Sequence, residues 1–158
     1  MKKALETLAV HAGREDFRDL GVHAPPIDLS TTNPMPDPLA GGAELGHLAM
    51  GGDLRENAVY ARLYNPTVAR FEKGLSQLEG TEATVAFGSG MAALTALLLA
   101  VKEEGSHVLA VRPMYGSSDH LLASGLLGVE AEFCAADEIA DRIRPETALV
   151  FIETPSNP

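Results

Sequence analysis

A short glycine-containing turn is the clearest place in this sequence where chemistry could occur. Gly88-Ser89-Gly90-Met91 separates an apolar segment typical of a buried strand from a longer one typical of a helix. Glycines let a backbone approach an anion closely, and the first amides and the dipole of a helix attract negative charge. The turn is therefore a candidate phosphate site. A plain strand-to-helix turn, whose glycines serve packing only, fits the same residues.

The same turn fits a second class of ligand. Gly88-x-Gly90-x-x-Ala93 matches a loose dinucleotide-binding pattern, which would place an acidic residue near the end of the next strand to bind a ribose hydroxyl. Arg112 and Pro113 stand there instead. Because Arg112 would suit a 2′-phosphate, an NADP-binding Rossmann-like domain is an alternative.

Tyr115 and Asn157 each follow a predicted strand. Ligands of α/β sheets bind outside the carboxyl ends of the strands, so both residues should emerge on the side of the glycine turn. The Tyr115 ring could stack on a flat cofactor, or pack at the base of its loop with its hydroxyl hydrogen-bonded. Asn157 could bind a cofactor oxygen, or serve as a turn residue.

Alternating strands and helices would position these residues. Asn65-Pro66 predicts a helix start and Gly80 the end of that helix. The following pattern predicts strands at 83–87, 107–112, 129–134 and 148–152, and helices at 91–104, 117–127 and 137–144. Such alternation predicts an α/β fold, with a mostly parallel sheet and helices on both faces.

The first 64 residues differ in composition from the rest. Prolines and then glycines punctuate them, which predicts an extended arm with short helices at 4–11 and 39–50. Residues 65–158 would form the first part of the ligand-binding domain. The sequence stops directly after a strand that reads as buried, so we expect further polypeptide to cover the sheet.

Composition narrows the classes of partner and compartment. The chain has 158 residues, 46% of them hydrophobic and 22% charged, as in ordinary globular proteins. Its net charge of −10 includes no cluster of lysine and arginine, which argues against nucleic acid and against a membrane surface. The single cysteine, Cys134, cannot form an internal disulfide, and the first residues lack the apolar stretch of a secretory signal. We expect a cytoplasmic protein.

Seven short blocks follow one another along nearly the whole chain. They are Ala-x-His11-Ala-Gly, Pro25-Pro26-Ile27 followed by Thr31-Thr32, Tyr60-x-Arg62-x-x-Asn65-Pro66-Thr67, Leu78-Glu79-Gly80-Thr81-Glu82, Ser89-Gly90-Met91-Ala92-Ala93, Tyr115-Gly116, and Glu153-Thr154-Pro155-x-Asn157-Pro158. In this order they resemble the pyridoxal-phosphate (PLP) enzymes of cysteine and methionine metabolism, the family of cystathionine γ-synthase, cystathionine γ-lyase and methionine γ-lyase. The resemblance implies the large domain of a fold type I PLP-dependent transferase, incomplete here.

The resemblance implies cofactor contacts for four residues of the ligand-binding domain. The amides of Gly90 and Met91 would hold the cofactor phosphate. Tyr115 would stack on the pyridine ring and assist proton transfer. Asn157 would approach the phenolic oxygen of the ring.

The resemblance also implies an assembly, a homotetramer arranged as a dimer of dimers with cross-subunit active sites. Tyr60 and Arg62, on the 1–64 arm, would reach the cofactor phosphate of a neighbouring protomer. Without the resemblance, the two residues read as an exposed pair just before a helix cap.

The implied activity is that of a lyase or transferase, by γ-elimination or γ-replacement on cystathionine, methionine or activated homoserine. The lysine that forms the Schiff base falls, in the family, beyond the segment present here. None of the four lysines here is expected to replace it, so this chain alone should be inactive. Ser117 stands where some methionine γ-lyases carry a cysteine, which counts against that member. A catalytically empty scaffold paralogue is the alternative from another functional class.

Overall fold

The computed structural model describes residues 4–35, 37–55, 57–102 and 105–156, and the chain divides into two compact units after Ala86. The sequence predicts a boundary at 64/65, whereas the structure groups the helix that follows Asn65 with the amino-terminal unit.

The first unit contains α1 (Leu5–His11), α2 (Phe17–Leu20), α3 (Pro38–Ala49) and α4 (Pro66–Glu79). The second contains α5 (Gly90–Val101), β1 (His107–Val111), α6 (Gly116–Ala123), β2 (Glu130–Cys134), a 3-10 turn (Ala136–Glu138), α7 (Ile139–Arg142) and β3 (Thr147–Phe151).

A parallel three-stranded sheet organises the second unit. The strand order is β2-β1-β3, and Val108 of the central strand pairs with Ala131 on one side and Leu149 on the other. Every residue of β1 is buried, which explains its uninterrupted apolar character after His107. The predicted α/β class with a parallel sheet is confirmed.

Helices cover both faces of this sheet, as the sequence predicted. On one face, Leu94 and Leu98 of α5 and Leu122 of α6 form a cluster with Val108 and Ala110. On the other face, the buried side chains are those of Leu109, Val111 and Cys134, with Ile139 of α7 against them. Alternate residues of β1 therefore serve two separate apolar clusters.

The start and end of α4 are those that the sequence predicts. The Asn65 side chain accepts hydrogen bonds from the N–H groups of Thr67 and Val68, at 3.0 and 3.1 Å, and Pro66 occupies the first turn. Gly80 ends the helix in the left-handed region, with φ 69°. The Asn-Pro-Thr part of the third motif block thus has a local structural role.

The predicted strand at 83–87 is wrong for the described part of the chain. These residues are not in a ladder with any strand there, and Val85 and Phe87 are 70% and 45% exposed. An apolar alternation predicts burial, but a strand also needs hydrogen-bonding neighbours.

Several predicted boundaries also shift. The helix predicted at 91–104 runs over Gly90–Val101, and residues 103 and 104 lie outside the described residues. The helix predicted to reach 127 ends at Ala123, because the Ser124 hydroxyl bonds to the Leu121 carbonyl and Gly125 adopts φ 62°. The helix predicted at 137–144 is a 3-10 turn followed by one turn of α-helix. None of the helices described here has the length and apolar character needed to cross a bilayer.

Candidate cofactor site

A cleft of about 570 Å³ opens in the second unit, where the loops after β1 and β3 meet the amino terminus of α5. This volume lies within the usual range for small-molecule sites. The lining is mainly apolar, and four residues with polar side chains interrupt it: Ser89, Tyr115, Ser118 and Glu153. The cleft brings together three of the residues selected from the sequence, Gly90, Met91 and Tyr115.

The first turn of α5 presents two backbone donors to this cleft. The Ser89 side chain accepts a hydrogen bond from the N–H of Ala92 at 3.1 Å, and its carbonyl accepts one from Ala93 at 3.1 Å. In the part of the chain that the structure describes, the N–H groups of Gly90 and Met91 have no hydrogen-bond acceptor. Ser89 therefore caps the helix and leaves two amides at its positive end for an anion.

The two glycines of the turn are not needed for the packing of the described chain. Added Cβ atoms at Gly88 and Gly90 would meet no heavy atom within 4 Å. Neither residue has a left-handed φ, so the turn geometry does not require glycine either. Open space beside free amides is what close approach by a phosphate needs, so the residues present fit a phosphate-bearing cofactor.

Tyr115 lies at the amino terminus of α6, lines the cleft and is 45% exposed. Its hydroxyl has no hydrogen-bond partner in the part of the chain that the structure describes. The alternative of a tyrosine packed at a loop base with a bonded hydroxyl therefore does not match this geometry. The ring and hydroxyl are free for a ligand.

Arg112 is engaged within the protein. Its guanidinium donates to both carboxylate oxygens of Asp119, at 2.5 and 2.8 Å, and lies 3.7 Å from the Phe133 ring centroid. The hydrogen bonds from Arg112 hold the pKa of the Asp119 carboxyl below its usual range. Because the donor fork is occupied, this geometry does not favour Arg112 as a ligand for a 2′-phosphate, which was the basis of the NADP alternative.

Glu153 is a charged residue of the cleft for which the sequence indicated no role. It follows β3, and its carboxylate accepts a hydrogen bond from the backbone N–H of Tyr115. The sequence places this carboxylate just after a predicted strand, but the sheet order is needed to show that the strand neighbours β1 and ends beside the Tyr115 loop. The motif that contains Glu153 also contains Asn157, which lies outside the described residues.

Tyr60 and Arg62 lie together in the first unit. Tyr60 forms an antiparallel bridge with Thr32, and the N–H of Ala61 donates to the carbonyl of Thr31 at 2.9 Å. The Arg62 guanidinium lies 5.0 Å from the centroid of the Tyr60 ring. Arg62 is exposed, and no carboxylate among the described residues pairs with it. The Thr31-Thr32 block thus positions the backbone of the Tyr60 block.

Comparison with known proteins gives a family match over most of the chain. The model of the family described as Cys/Met metabolism PLP-dependent enzyme matches residues 6–158. An L-methionine gamma-lyase of Streptomyces avermitilis is 54% identical over 158 residues, which cover 99% of this chain and 38% of the relative. An O-succinylhomoserine sulfhydrylase of Pseudomonas aeruginosa is 35% identical over 160 residues, which cover 98% of this chain and 38% of the relative.

Solved structures agree with this match. The crystal structure of metB from Corynebacterium glutamicum has a TM-score of 0.76 at 28% identity, over 99% of this chain and 38% of that one. The metY protein of Campylobacter jejuni has the same TM-score at 26% identity and equal coverage, and its structure carries an N′-pyridoxyl-lysine-5′-monophosphate. This chain spans about 38% of the length of the curated relatives it matches. The resemblance seen in the sequence is confirmed, and the chain belongs to the PLP-dependent enzymes of cysteine and methionine metabolism.

Proposed function

We propose that the protein to which this chain belongs is a PLP-dependent lyase that acts on a sulfur amino acid by γ-elimination, with methionine as the first candidate substrate. The observation that carries this proposal is the pair of free amides at Gly90 and Met91 beside the exposed Tyr115 ring in one cleft. Three relatives at 51% identity or more, named L-methionine gamma-lyase, favour methionine over the other substrates of the family.

In this proposal the cleft residues hold two parts of the cofactor. The N–H groups of Gly90 and Met91 bind the phosphate, with help from the α5 dipole. The Tyr115 ring would stack on the pyridine ring, and its hydroxyl would hold or transfer a proton at the substrate. Asn157 would bond to the phenolic oxygen. When bound, PLP supplies an electron sink that stabilises negative charge at the substrate carbons.

Tyr60 and Arg62 are proposed to complete the phosphate site of a neighbouring protomer. The exposed Arg62 guanidinium lacks an acidic partner in the described chain, and its planar donor fork matches phosphate oxygens. The Tyr60 hydroxyl offers a neutral donor beside it. The 1–64 arm would then be an interface element of a homotetramer with shared sites.

The lysine that carries the cofactor is proposed to lie outside residues 1–158. The Lys73 ammonium pairs with Glu15 at 3.2 Å in the first unit, and the Lys102 ammonium donates to the Leu127 carbonyl at 3.2 Å. Neither lines the cleft. Lys2 and Lys3 lie outside the described residues. The partners of the pyridine nitrogen and of the substrate carboxylate are likewise proposed outside this segment.

A second candidate function is γ-replacement on an activated homoserine ester. The match to an O-succinylhomoserine sulfhydrylase favours it, as does Ser117, which stands where some methionine γ-lyases carry a cysteine. A scaffold without catalysis is the remaining alternative.

Three assays test these proposals: mapping of the cofactor lysine, methionine cleavage, and sulfide consumption with O-succinylhomoserine. Borohydride reduction followed by peptide mapping should find PLP on a lysine outside residues 1–158. The purified enzyme should convert methionine and water to methanethiol, ammonia and 2-oxobutyrate, and a pure 158-residue chain should not. Consumption of sulfide with O-succinylhomoserine instead of methionine cleavage would support γ-replacement. A PLP adduct on Lys73 or Lys102 would contradict the assignment of the site, and absence of both activities would favour the scaffold.

A further inference from the structure

We propose that Glu153 is a positioning residue, which fixes the direction of the Tyr115 ring by accepting the hydrogen bond from the Tyr115 backbone N–H. The inference rests on the proposed function, because it concerns the tyrosine that faces the cofactor there. Glu153 itself touches no cofactor or substrate in this account.

The sheet topology brings the two residues together. β1 and β3 are parallel neighbours, and Ala110 pairs with Phe151 near their carboxyl ends. Glu153 follows Phe151 by two residues, and Tyr115 begins the helix that follows β1. The Glu153 carboxylate therefore ties two loops that leave the same edge of the sheet.

The Tyr115 backbone is held on both sides but not by its own side chain. Met114, which precedes Tyr115, is buried. The Arg112 guanidinium donates two hydrogen bonds to the Asp119 carboxylate, which joins the two ends of the segment that contains Tyr115. Tyr115 makes no side-chain cap bond to α6, although its carbonyl accepts from the N–H of Asp119 at 3.0 Å. Glu153 supplies the partner for the Tyr115 N–H. This charge-assisted bond fixes the backbone that determines where the ring points.

The negative charge of Glu153 is electrostatically unfavourable in a cleft that is proposed to bind an anion, so we expect the side chain to have a function there. It is the single acidic or basic residue that lines the cleft in the described chain, and the cleft is proposed to hold an anionic phosphate. A carboxylate there repels that anion. A favourable contact of the carboxylate oxygens must therefore offset this repulsion. The hydrogen bond from the Tyr115 N–H is the contact that the structure shows.

Hydrogen–deuterium exchange on the complete enzyme without cofactor tests the bond itself. In Glu153→Ala, the amide of Tyr115 should exchange about tenfold faster, because a hydrogen bond to a charged acceptor is lost. Glu153→Gln should exchange at a rate between those of the wild type and Glu153→Ala, since its amide oxygen still accepts but carries no charge. Glu146→Ala is the matched control, because Glu146 is an exposed glutamate that precedes the same strand. Unchanged exchange in Glu153→Ala would overturn the proposal.

A double-mutant cycle tests whether Glu153 acts through Tyr115. PLP affinity and the circular dichroism of the bound cofactor are measured for Glu153→Ala, Tyr115→Ala and the double variant. Glu153→Ala should weaken PLP binding about tenfold and reduce the dichroic band in the wild-type background. In the Tyr115→Ala background it should not weaken PLP binding, because only the repulsion between the carboxylate and the phosphate is then removed.

The outcomes separate this inference from the proposed function. Equal losses in both backgrounds, or a Glu153→Gln variant as impaired as Glu153→Ala, would contradict positioning through the N–H bond. If the wild-type enzyme binds PLP but Glu153→Ala matches it, only the Glu153 inference fails. If the wild type binds no PLP at all, the proposed function fails with it.

Discussion

Intramolecular hydrogen bonds decide which groups remain available at the cleft. Ser89 uses its hydroxyl on the first turn of α5 and leaves the amides of Gly90 and Met91 without acceptors in the described chain. The Arg112 guanidinium donates its hydrogen bonds to Asp119, whereas the Tyr115 hydroxyl has no partner in the described chain. Composition and spacing cannot distinguish an occupied donor from a free one, so these distinctions come from the structure.

The Arg112–Asp119 pair gives the Tyr115 loop a predicted pH dependence. The folded pKa of Asp119 is lowered by the bonds from Arg112. A lowered folded pKa means that the stabilisation is present above the unfolded pKa, near 4, and is lost as pH falls through the folded value. The difference in unfolding free energy between wild type and Asp119→Asn should therefore shrink from pH 7 to pH 3. Urea titrations at the two pH values measure it, and a difference that persists unchanged at pH 3 would contradict the pairing.

Cys134 is predicted to be unreactive in the folded protein. The residue is 6% exposed, and burial, the largest cause, raises the pKa of its thiol. Because the thiolate is the reacting form, alkylation at pH 8 should be at least about tenfold slower in native buffer than in denaturing urea. Mass spectrometry after timed exposure to iodoacetamide measures both rates, and equal rates would show that β2 is open to solvent.

At the scale of elements, the approach of α1 to α4 depends on Gly13. Its φ is 72°, and an added Cβ would lie 2.9 Å from the carbonyl oxygen of Arg70 on α4. Arg70 in turn donates to the Gly13 carbonyl at 2.7 Å and to Asp16 at 2.5 and 2.7 Å. The first motif block therefore contains glycine for a backbone reason.

Gly13→Ala should destabilise the first unit by about 1–3 kcal/mol, through left-handed strain and the backbone contact. Gly42→Ala is the control, because Gly42 lies in α3, where an added Cβ would meet nothing within 4 Å. The control should be neutral or stabilising. Thermal unfolding of both variants measures this, and equal melting temperatures for the two would refute the packing argument.

The elements that the sequence predicted well carry local signals. Asn65 and Gly80 mark the two ends of α4 through a side-chain cap and a left-handed glycine, which are interactions between near neighbours. The strand prediction at 83–87 was wrong because a strand needs a hydrogen-bonding partner from a distant segment. Hydrophobic periodicity does not show whether such a partner is present. The candidate site followed the same division. Tyr115 was selected because it follows a strand, and Gly90 because it lies in a glycine turn that opens a helix, although the strand predicted before that turn is not present in the described chain. The bond from Tyr115 to Glu153 spans 38 positions and needed the sheet order.

At the scale of the whole molecule, the arm is expected to connect subunits. In the complete enzyme, Arg62→Ala should weaken PLP binding by about 1.5–3 kcal/mol, the usual contribution of a hydrogen bond to a charged group, without loss of fold. Fluorescence titration of the apoenzyme with PLP measures this loss.

Mixing experiments then identify the subunit whose cofactor Arg62 serves. Subunits carrying Arg62→Ala are combined with subunits whose cofactor lysine has been replaced. A cross-subunit site predicts recovery of activity, because one site of each mixed pair has neither defect. Mixtures without recovery would show that Arg62 serves its own subunit and would remove the case for a shared site.

The central claim is that the amino terminus of α5 binds the cofactor phosphate, and the PLP affinity of Gly90→Ala in the complete enzyme tests it most directly. An added Cβ at Gly90 meets no atom of the described chain, so the apoenzyme should melt at or above the wild-type temperature. Gly46→Ala, in α3, is the matched control with the same open surroundings. The account predicts at least about a tenfold loss of PLP affinity for Gly90→Ala alone. Wild-type affinity in Gly90→Ala would contradict it.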